Sequence, residues 1–388
     1  MTAKEKYTPK RRQLSFILFT TVILILSMLV GCGPSTEELE AVDYTPLPGD
    51  DWKVSTPAEQ GLDPMLVAEL CHNAAELETL YGLLVIKNGH LIAEGYFNEG
   101  AVDRKNQLQS ATKSYTSALV GIALDQGCLS SVDQKMMEFF PEFAGQITDP
   151  KKEQITIRDM LQMLSGYPFE ETDPALFEAL LSGDYLPLIV GFPLTRDPGT
   201  EFQYSNVTSH LLGVIVARAC DTDLKSYAQE HLFSPIDSEL GDVWIQDRDG
   251  YYIGLAGMHV TARDMAKFGL LYLNDGEYEG KQVLSADWVR ESLQRYSDVC
   301  WGGWMSCGYG YFRDLGYGYQ WWSAKAGDHY FNYASGHGGQ YIVLLDKLDM
   351  VIVATADPFW QQHDDESWKH ESAVIELVGK FINSLPRE

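Results

Sequence analysis

Basic residues are scarce in this chain. Lys and Arg total 29 against 55 Asp and Glu, a formal net charge of −26. Such a chain repels phosphate backbones, and no basic patch follows residue 12, so a nucleic-acid partner is not expected. The same sign excludes a long-range pull toward an anionic membrane surface. Metal-ligand spacing is also missing. Neither Cys-x-x-Cys nor His-x-x-x-His occurs, so a zinc site has no support, and no cofactor is expected. No internal repeat is present. What remains is a profile of 45% hydrophobic and 22% charged residues, which fits a globular protein and excludes disordered, collagen-like and coiled-coil chains. The 388 residues suggest roughly two or three domains.

The first residues read as an address. Lys4, Lys6, Lys10, Arg11 and Arg12 make a basic start, and an uncharged, mostly apolar run follows from Leu14 to Val30. Its 17 residues are marginal for a spanning helix and slightly long for a signal core. The run ends in Leu29-Val30-Gly31-Cys32, which resembles a bacterial lipobox. On that reading residues 1–31 are a signal peptide, and Cys32 is lipidated and becomes the mature N-terminus. A simple membrane anchor with an incidental cysteine is the other reading. Either way the remainder lies outside the cytoplasm, as a membrane-anchored protein of the bacterial cell envelope. Residues 32–51, rich in Glu, Asp and Pro, read as a solvated acidic tether.

Five cysteines follow Cys32, so at least one stays unpaired. Cys300 and Cys307 bracket a short Trp/Gly loop and can form a disulfide outside the cell. Cys71, Cys128 and Cys220 sit in apolar helical patterns and read as buried thiols.

Periodicity gives a coarse map. Asp63 to Leu80 reads as a helix, and Gly82 to Phe97 as a β-hairpin turning at Asn88-Gly89. Ser110 to Gln126 reads as a buried helix, and residues 128–232 as mostly helical. Short strands rich in Gly and aromatics follow residue 240, then a hairpin at Gln340–Asp346 and Met350–Thr355, then a helix from Ser367 to Leu385. This order predicts an α/β (α+β) fold. Residues 52–109 and 235–388 build one discontinuous α/β domain with an antiparallel sheet, and residues 110–234 a mostly helical domain between them.

Three short motifs can carry chemistry. Ser110-Ala-Thr-Lys113 is the chain's one Ser-x-x-Lys. Three residues apart on a helix, the two side chains share a face, and the free N–H groups of a helix start favour developing negative charge. A buried Lys can lose its proton and accept one from Ser. Tyr204-Ser205-Asn206 offers a phenol that can relay protons and an amide that can hold a substrate carbonyl. His337-Gly338-Gly339 precedes an apolar strand and lets a substrate lie close to backbone N–H groups. Tyr330-Phe331-Asn332 and Lys325-Ala326-Gly327 compete with the second and third motifs.

In their order and spacing the three motifs resemble the class C β-lactamase and penicillin-binding-protein-like serine hydrolase superfamily. The stretches Thr156–Gly166, Pro198–Asn206 and Gly257–Gly269 resemble it too. The resemblance covers nearly all of residues 55–388. It implies a β-lactamase/transpeptidase-like fold, with an antiparallel sheet flanked by helices plus an all-α domain. It also implies acyl transfer, with Ser110 as nucleophile and Lys113 and Tyr204 moving its proton. The oxyanion donors would be the N–H of Ser110 and one after His337, taken as Gln340. Asn206, His337 and Gly339 would contact substrate.

One position departs from the β-lactamases, which carry Lys in a Lys-Thr-Gly triplet where this chain has His337. Histidine is largely neutral near pH 7 and suits a β-lactam carboxylate less well. The departure agrees better with esterases and with enzymes resembling 6-aminohexanoate-dimer hydrolase. The class A triplet Ser-Asp-Asn and the Gly-x-Ser-x-Gly elbow are absent. Trp301 to Tyr333 holds twelve aromatics, Trp304 among them. Most suit core packing, and Trp322 is the first choice for a wall of the acyl pocket.

The expected function is therefore a lipid-anchored serine hydrolase acting on a small-molecule ester or amide, a cell-wall peptide being the other candidate substrate. D-amino-acid peptidase and β-lactamase rank below that. The rival from another class is a non-enzymatic penicillin-recognising or cell-wall-binding lipoprotein.

Overall fold

The computed structural model describes residues 33–300, 307–360 and 366–387. Cys32, the leader and Trp304 lie outside them. Residues 33–43 form a unit of their own, in which Thr36–Glu40 makes a short exposed helix. Ser35 and Glu38 close a reciprocal capping box on it, so this part of the acidic segment has local structure.

Residues 44 onward form the second unit. Its centre is a nine-stranded sheet. The strands are β1 (Leu80–Lys87), β2 (His90–Tyr96), β3 (Ser297–Asp298), β4 (Gly308–Tyr309), β5 (Phe312–Tyr317), β6 (Trp322–Ala326), β7 (His329–Gly336), β8 (Gln340–Leu345) and β9 (Met350–Ala356). The order is β2-β1-β9-β8-β7-β6-β5-β3, with β4 paired to β5, and all pairings are antiparallel. Asn88 and Gly89 take positive φ (51° and 70°) and turn β1 into β2. β1 pairs with β9, Leu83 opposite Ala354, so strands far apart in the sequence lie side by side next to the β2 edge.

Strands β1, β8 and β9 are buried along nearly their whole length, so helices must cover both faces. Five longer helices are α1 (Pro64–Ala75), α2 (Thr112–Asp125), α3 (Asn206–Ala219), α4 (Ala262–Leu273) and α5 (Glu366–Ser384). α4 lies on β1, β8 and β9. Its Gly269 permits this, because a Cβ there would meet Val351 at 2.6 Å and Ile342 at 3.0 Å. α5 packs on α1 and β6, and α1 on β1, with Lys380 paired to Glu69 at 2.8 Å. α2 packs on α3 and is buried from Thr112 to Ala123.

The end of the acidic segment is not free in solvent. Arg263 on α4 binds the Asp51 carboxylate at 2.7 Å, Glu94 at 2.7 Å and the Leu47 carbonyl at 2.8 Å. Residues 47–51 are thereby tied to the globular body. Cys300 and Cys307 form a disulfide. Cys71 is a buried thiol, whereas Cys128 and Cys220 are half-exposed at helix ends rather than buried. Among the described residues no helix is long and apolar enough to cross a membrane, and no cluster of His, Cys, Asp and Glu suits a metal ion.

Candidate active site

Ser110 occupies a one-turn 3-10 helix, Gln109–Ala111, which leads directly into α2. Gln109 before it adopts φ 48°, a left-handed conformation that few side chains favour. Ser110 is half-buried, and Lys113 lies below it, 2% exposed. The Lys113 Nζ is 2.9 Å from Ser110 Oγ, 2.9 Å from Asn206 Oδ1 and 2.9 Å from the Leu255 carbonyl. Burial pushes its pKa down from 10.5 to about 7, against the pull of Glu171 and Glu170, which favour the cation.

Those three contacts fix what the neutral amine does. It has two N–H bonds and one lone pair. The Leu255 carbonyl is an acceptor only. Asn206 also presents its oxygen, because its Nδ2 donates to Glu171 at 2.9 Å. Both N–H bonds are therefore committed, and the lone pair is left facing the Ser110 hydroxyl.

Asn206 begins α3, capped by Ser205 and by a buried carboxylate. Glu170 is fully buried and accepts from Ser205 Oγ at 2.8 Å, Asn206 N–H at 2.9 Å and Val207 N–H at 3.1 Å. It thus satisfies the otherwise unpaired donors of the helix start. Tyr204, 8% exposed, hydrogen-bonds Ser110 through its hydroxyl, and burial pushes its pKa up, so the phenol keeps its proton. Its ring stacks on Trp322 (centroids 5.8 Å, planes 23°) and meets Phe169 edge-on at 5.6 Å. Phe202 reaches the same Trp322 at 6.1 Å.

The third motif closes the opposite side. β7 ends at Gly336, where a Cβ would sit 2.1 Å from the Leu108 carbonyl oxygen and 3.1 Å from the Ala111 nitrogen. Only glycine lets the strand rest on the Ser110 turn. Gln340 stands opposite Gly336 in register, which brings its backbone to the same place. Its side chain turns away and braces β8 to β9, donating to the Ala356 carbonyl at 2.7 Å. Gly338 and Gly339 have φ 82° and 103°, as the tight turn requires. His337 is half-exposed, with Nδ1 2.8 Å from Glu371 on α5. That hydrogen bond raises its pKa against the opposing effect of burial, so the imidazolium persists to higher pH than the residue type alone implies.

Of the sequence-derived residues, Ser110, Lys113, Tyr204, Asn206 and Trp322 are thus joined by direct contacts, and the turn carrying His337, Gly339 and Gln340 follows the strand end that rests on the Ser110 turn. Asn206 differs in detail: its amide serves Lys113 and Glu171. The competitors lie elsewhere. Tyr330 and Lys325 stack on each other at the far end of the β6–β7 hairpin, and Tyr330 is 58% exposed.

Several neighbours carry no sequence signal. Glu170 and Glu171 come from a one-turn 3-10 helix, Glu170–Thr172, that Phe169 precedes, and Leu255 contributes only a carbonyl. Leu255 is delivered because Gly254 and Gly213 let its loop lie on α3, and Thr116 donates to the Gly254 carbonyl at 2.7 Å. Gln320 joins α2, α3 and the short helix Ile157–Leu161. It donates to Leu161 at 2.9 Å, and it accepts from Ser209 on its side chain and Ser114 on its carbonyl, both at 2.7 Å.

The sequence matches the Beta-lactamase family over residues 81–366. It is 28% identical over 319 residues to the 6-aminohexanoate-dimer hydrolase of Paenarthrobacter ureafaciens, covering 78% of each chain. EstCE1, a hydrolase with promiscuous acyltransferase activity, superimposes with a TM-score of 0.63 at 16% identity, over 82% of this chain and 98% of its own. A penicillin-binding protein homologue from Caulobacter crescentus does so with a TM-score of 0.61 at 15% identity, over 88% and 100%. Such structural likeness identifies the fold, the β-lactamase/transpeptidase arrangement of helices around an antiparallel sheet. Since the family match spans well over half of its length, the chain belongs to the beta-lactamase family.

Proposed function

We propose that the protein is a serine acyl hydrolase of small-molecule esters or amides. The observation that carries this reading is the buried Lys113 Nζ, 2.9 Å from the Ser110 Oγ and otherwise held by two acceptors, so that its neutral form would turn the lone pair to the Ser110 hydroxyl. Lys113 takes the Ser110 proton as Oγ bonds to the substrate carbonyl carbon. The carbonyl oxygen becomes an oxyanion, received by the N–H groups of Ser110 and Gln340. The leaving oxygen or nitrogen departs with a proton from Tyr204, which Lys113 restores. Water then clears the acyl-enzyme through the same groups.

Ester or amide substrates rank above β-lactams because the relative at 28% identity is a 6-aminohexanoate-dimer hydrolase. Trp322, half-buried against Tyr204, would form an aromatic wall for the acyl group. The test is intact-mass labelling of the full-length chain with a fluorophosphonate, beside Ser110→Ala. One adduct on the wild type and none on the variant is expected. No adduct on a folded wild type would instead favour the non-enzymatic binding lipoprotein.

We also propose that the protein is lipidated at Cys32 and anchored in the bacterial cell envelope, outside the cytoplasm. The Leu29–Cys32 sequence supports this, and the Cys300–Cys307 disulfide suits an oxidising compartment. Cys32→Ala should abolish incorporation of radiolabelled fatty acid. Unchanged incorporation would exclude the lipobox reading.

A further inference from the structure

The turn that faces Ser110 is held from behind by one carboxylate. Glu371 lies on α5 and is 8% exposed. Its Oε2 accepts two hydrogen bonds from consecutive residues, from His337 Nδ1 at 2.8 Å and from the Gly338 N–H at 3.0 Å. Val374, one helical turn on, packs on Gly339, where a Cβ would lie 2.9 Å from its methyl. Gly338 is equally confined, since a Cβ there would meet the Pro358 Cα at 2.6 Å. On the other side Gly336 rests on the Ser110 turn. The 337–339 turn is thus pressed between α5 and the nucleophile's own turn, and Glu371 makes polar contacts to both its ring and its peptide.

We propose that Glu371 is a positioning residue for acyl transfer: by fixing the His337 ring and the Gly338 amide together, it sets the backbone donors after His337 that receive the oxyanion. This inference rests on the serine-hydrolase reading above. The geometry explains why a carboxylate is needed. A single oxygen accepting two donors is favoured by charge, and a neutral amide oxygen holds both less strongly. The second consequence is electrostatic. The proton on Nδ1 is bound to Glu371, so the ring's other nitrogen is turned away from it and the imidazolium is favoured.

Other ionisable groups around the pair do not complicate its titration. Glu171 faces His337 from the loop side and also favours the cation. Tyr333 on β7, Tyr341 on β8 and Tyr309 on β4 act on Glu371, and burial pushes all three phenols up, so they stay neutral below pH 10. Glu371 thus favours the charged His337, and burial favours the neutral Lys113.

The experiment compares wild type, Glu371→Gln and His337→Gln in the full-length chain. Three readouts are taken: the rate of Ser110 labelling by fluorophosphonate, kcat and KM on a p-nitrophenyl ester across pH 6–9, and the His337 imidazole titration by NMR. His337→Gln assigns the resonance. In Glu371→Gln the labelling rate and kcat should fall about tenfold or more, with KM changed less than about threefold. The His337 midpoint, above about 6.5 in wild type, should drop toward that value. Unchanged labelling, kcat and midpoint in a folded Glu371→Gln would overturn the inference and leave the hydrolase reading standing. A lowered midpoint with unchanged kcat would overturn it too, reducing the pair to an ion pair without a role in the reaction. A wild type that is never labelled would remove both. Should Glu371→Gln not fold, a wild-type midpoint at or below that of free imidazole still overturns it.

Discussion

Gly336 lies so close to Leu108 that a methyl group on Gly336 would sit 2.1 Å from the Leu108 carbonyl oxygen. The contact is backbone against backbone, so no side-chain rotation relieves it. It sets the distance between the end of β7 and the Ser110 turn.

Gly336→Ala should therefore injure the site before it injures the fold. Overpacking of this kind costs about 1–3 kcal/mol, which a protein of this size tolerates. The strand must shift from the Ser110 turn, and the oxyanion donors shift with it. Thermal melts and labelling rates on the same sample check this. A folded variant labelled at the wild-type rate would contradict the reading.

Lys113 ties stability to pH. Its folded pKa of about 7 lies below the ordinary 10.5. Between those values the unfolded chain binds a proton that the folded chain does not, so stability must rise with pH across the interval. At 1.36 kcal/mol per pH unit the full effect is about 5 kcal/mol, an upper figure. Below pH 7 both states are protonated and the whole cost is present. Urea unfolding of wild type and Lys113→Met at pH 7 and 9.5 isolates the term. The wild type should gain on the variant by a few kcal/mol, and parallel curves would show that Lys113 stays charged.

The same titration governs activity on the proposed mechanism. Only the neutral amine accepts the Ser110 proton, so kcat/KM should rise with pH through about 7. Asn206→Ala removes one of the acceptors that hold the amine in place and should lower kcat by roughly 10²-fold. Glu171→Gln removes a carboxylate that favours the lysinium, so its acid limb should move to lower pH. A limb that stays fixed would place the titration on another group.

Thiol counting tests the covalent structure. After denaturation without reductant, alkylation should modify Cys71, Cys128 and Cys220 and spare Cys300 and Cys307. Reduction should then release two further sites. Five modified cysteines before reduction would exclude the disulfide.

Much of this was legible in the sequence, for identifiable reasons. Asn88-Gly89 marks its hairpin because the turn needs positive φ, and Ser110 and Lys113 announce each other through helical spacing. The family order of motifs supplied Tyr204 and the His337 turn. Glu170 and Glu171 were not legible, because two acidic residues in a loop look like any solvated pair until α3 begins above them. Leu255 acts through a carbonyl that every residue possesses. His337 taken alone reads as a neutral ring. Its charge depends on Glu371, which arrives from another element with no spacing to announce it. The tether reading went as far as composition allows, but composition does not show Arg263 waiting for Asp51 and Leu47.

The pairing of β1 with β9 has a consequence for how the molecule is made. The β1–β2 hairpin gains its next strand, β9, only after residue 356 has been synthesised, and α5 comes later still. Contacts this distant in sequence close slowly. A ribosome-bound chain therefore carries Ser110 and Lys113 long before the turn that completes their surroundings. The His337–Gly339 turn and the Glu371 behind it are thus the last parts of this neighbourhood to be made.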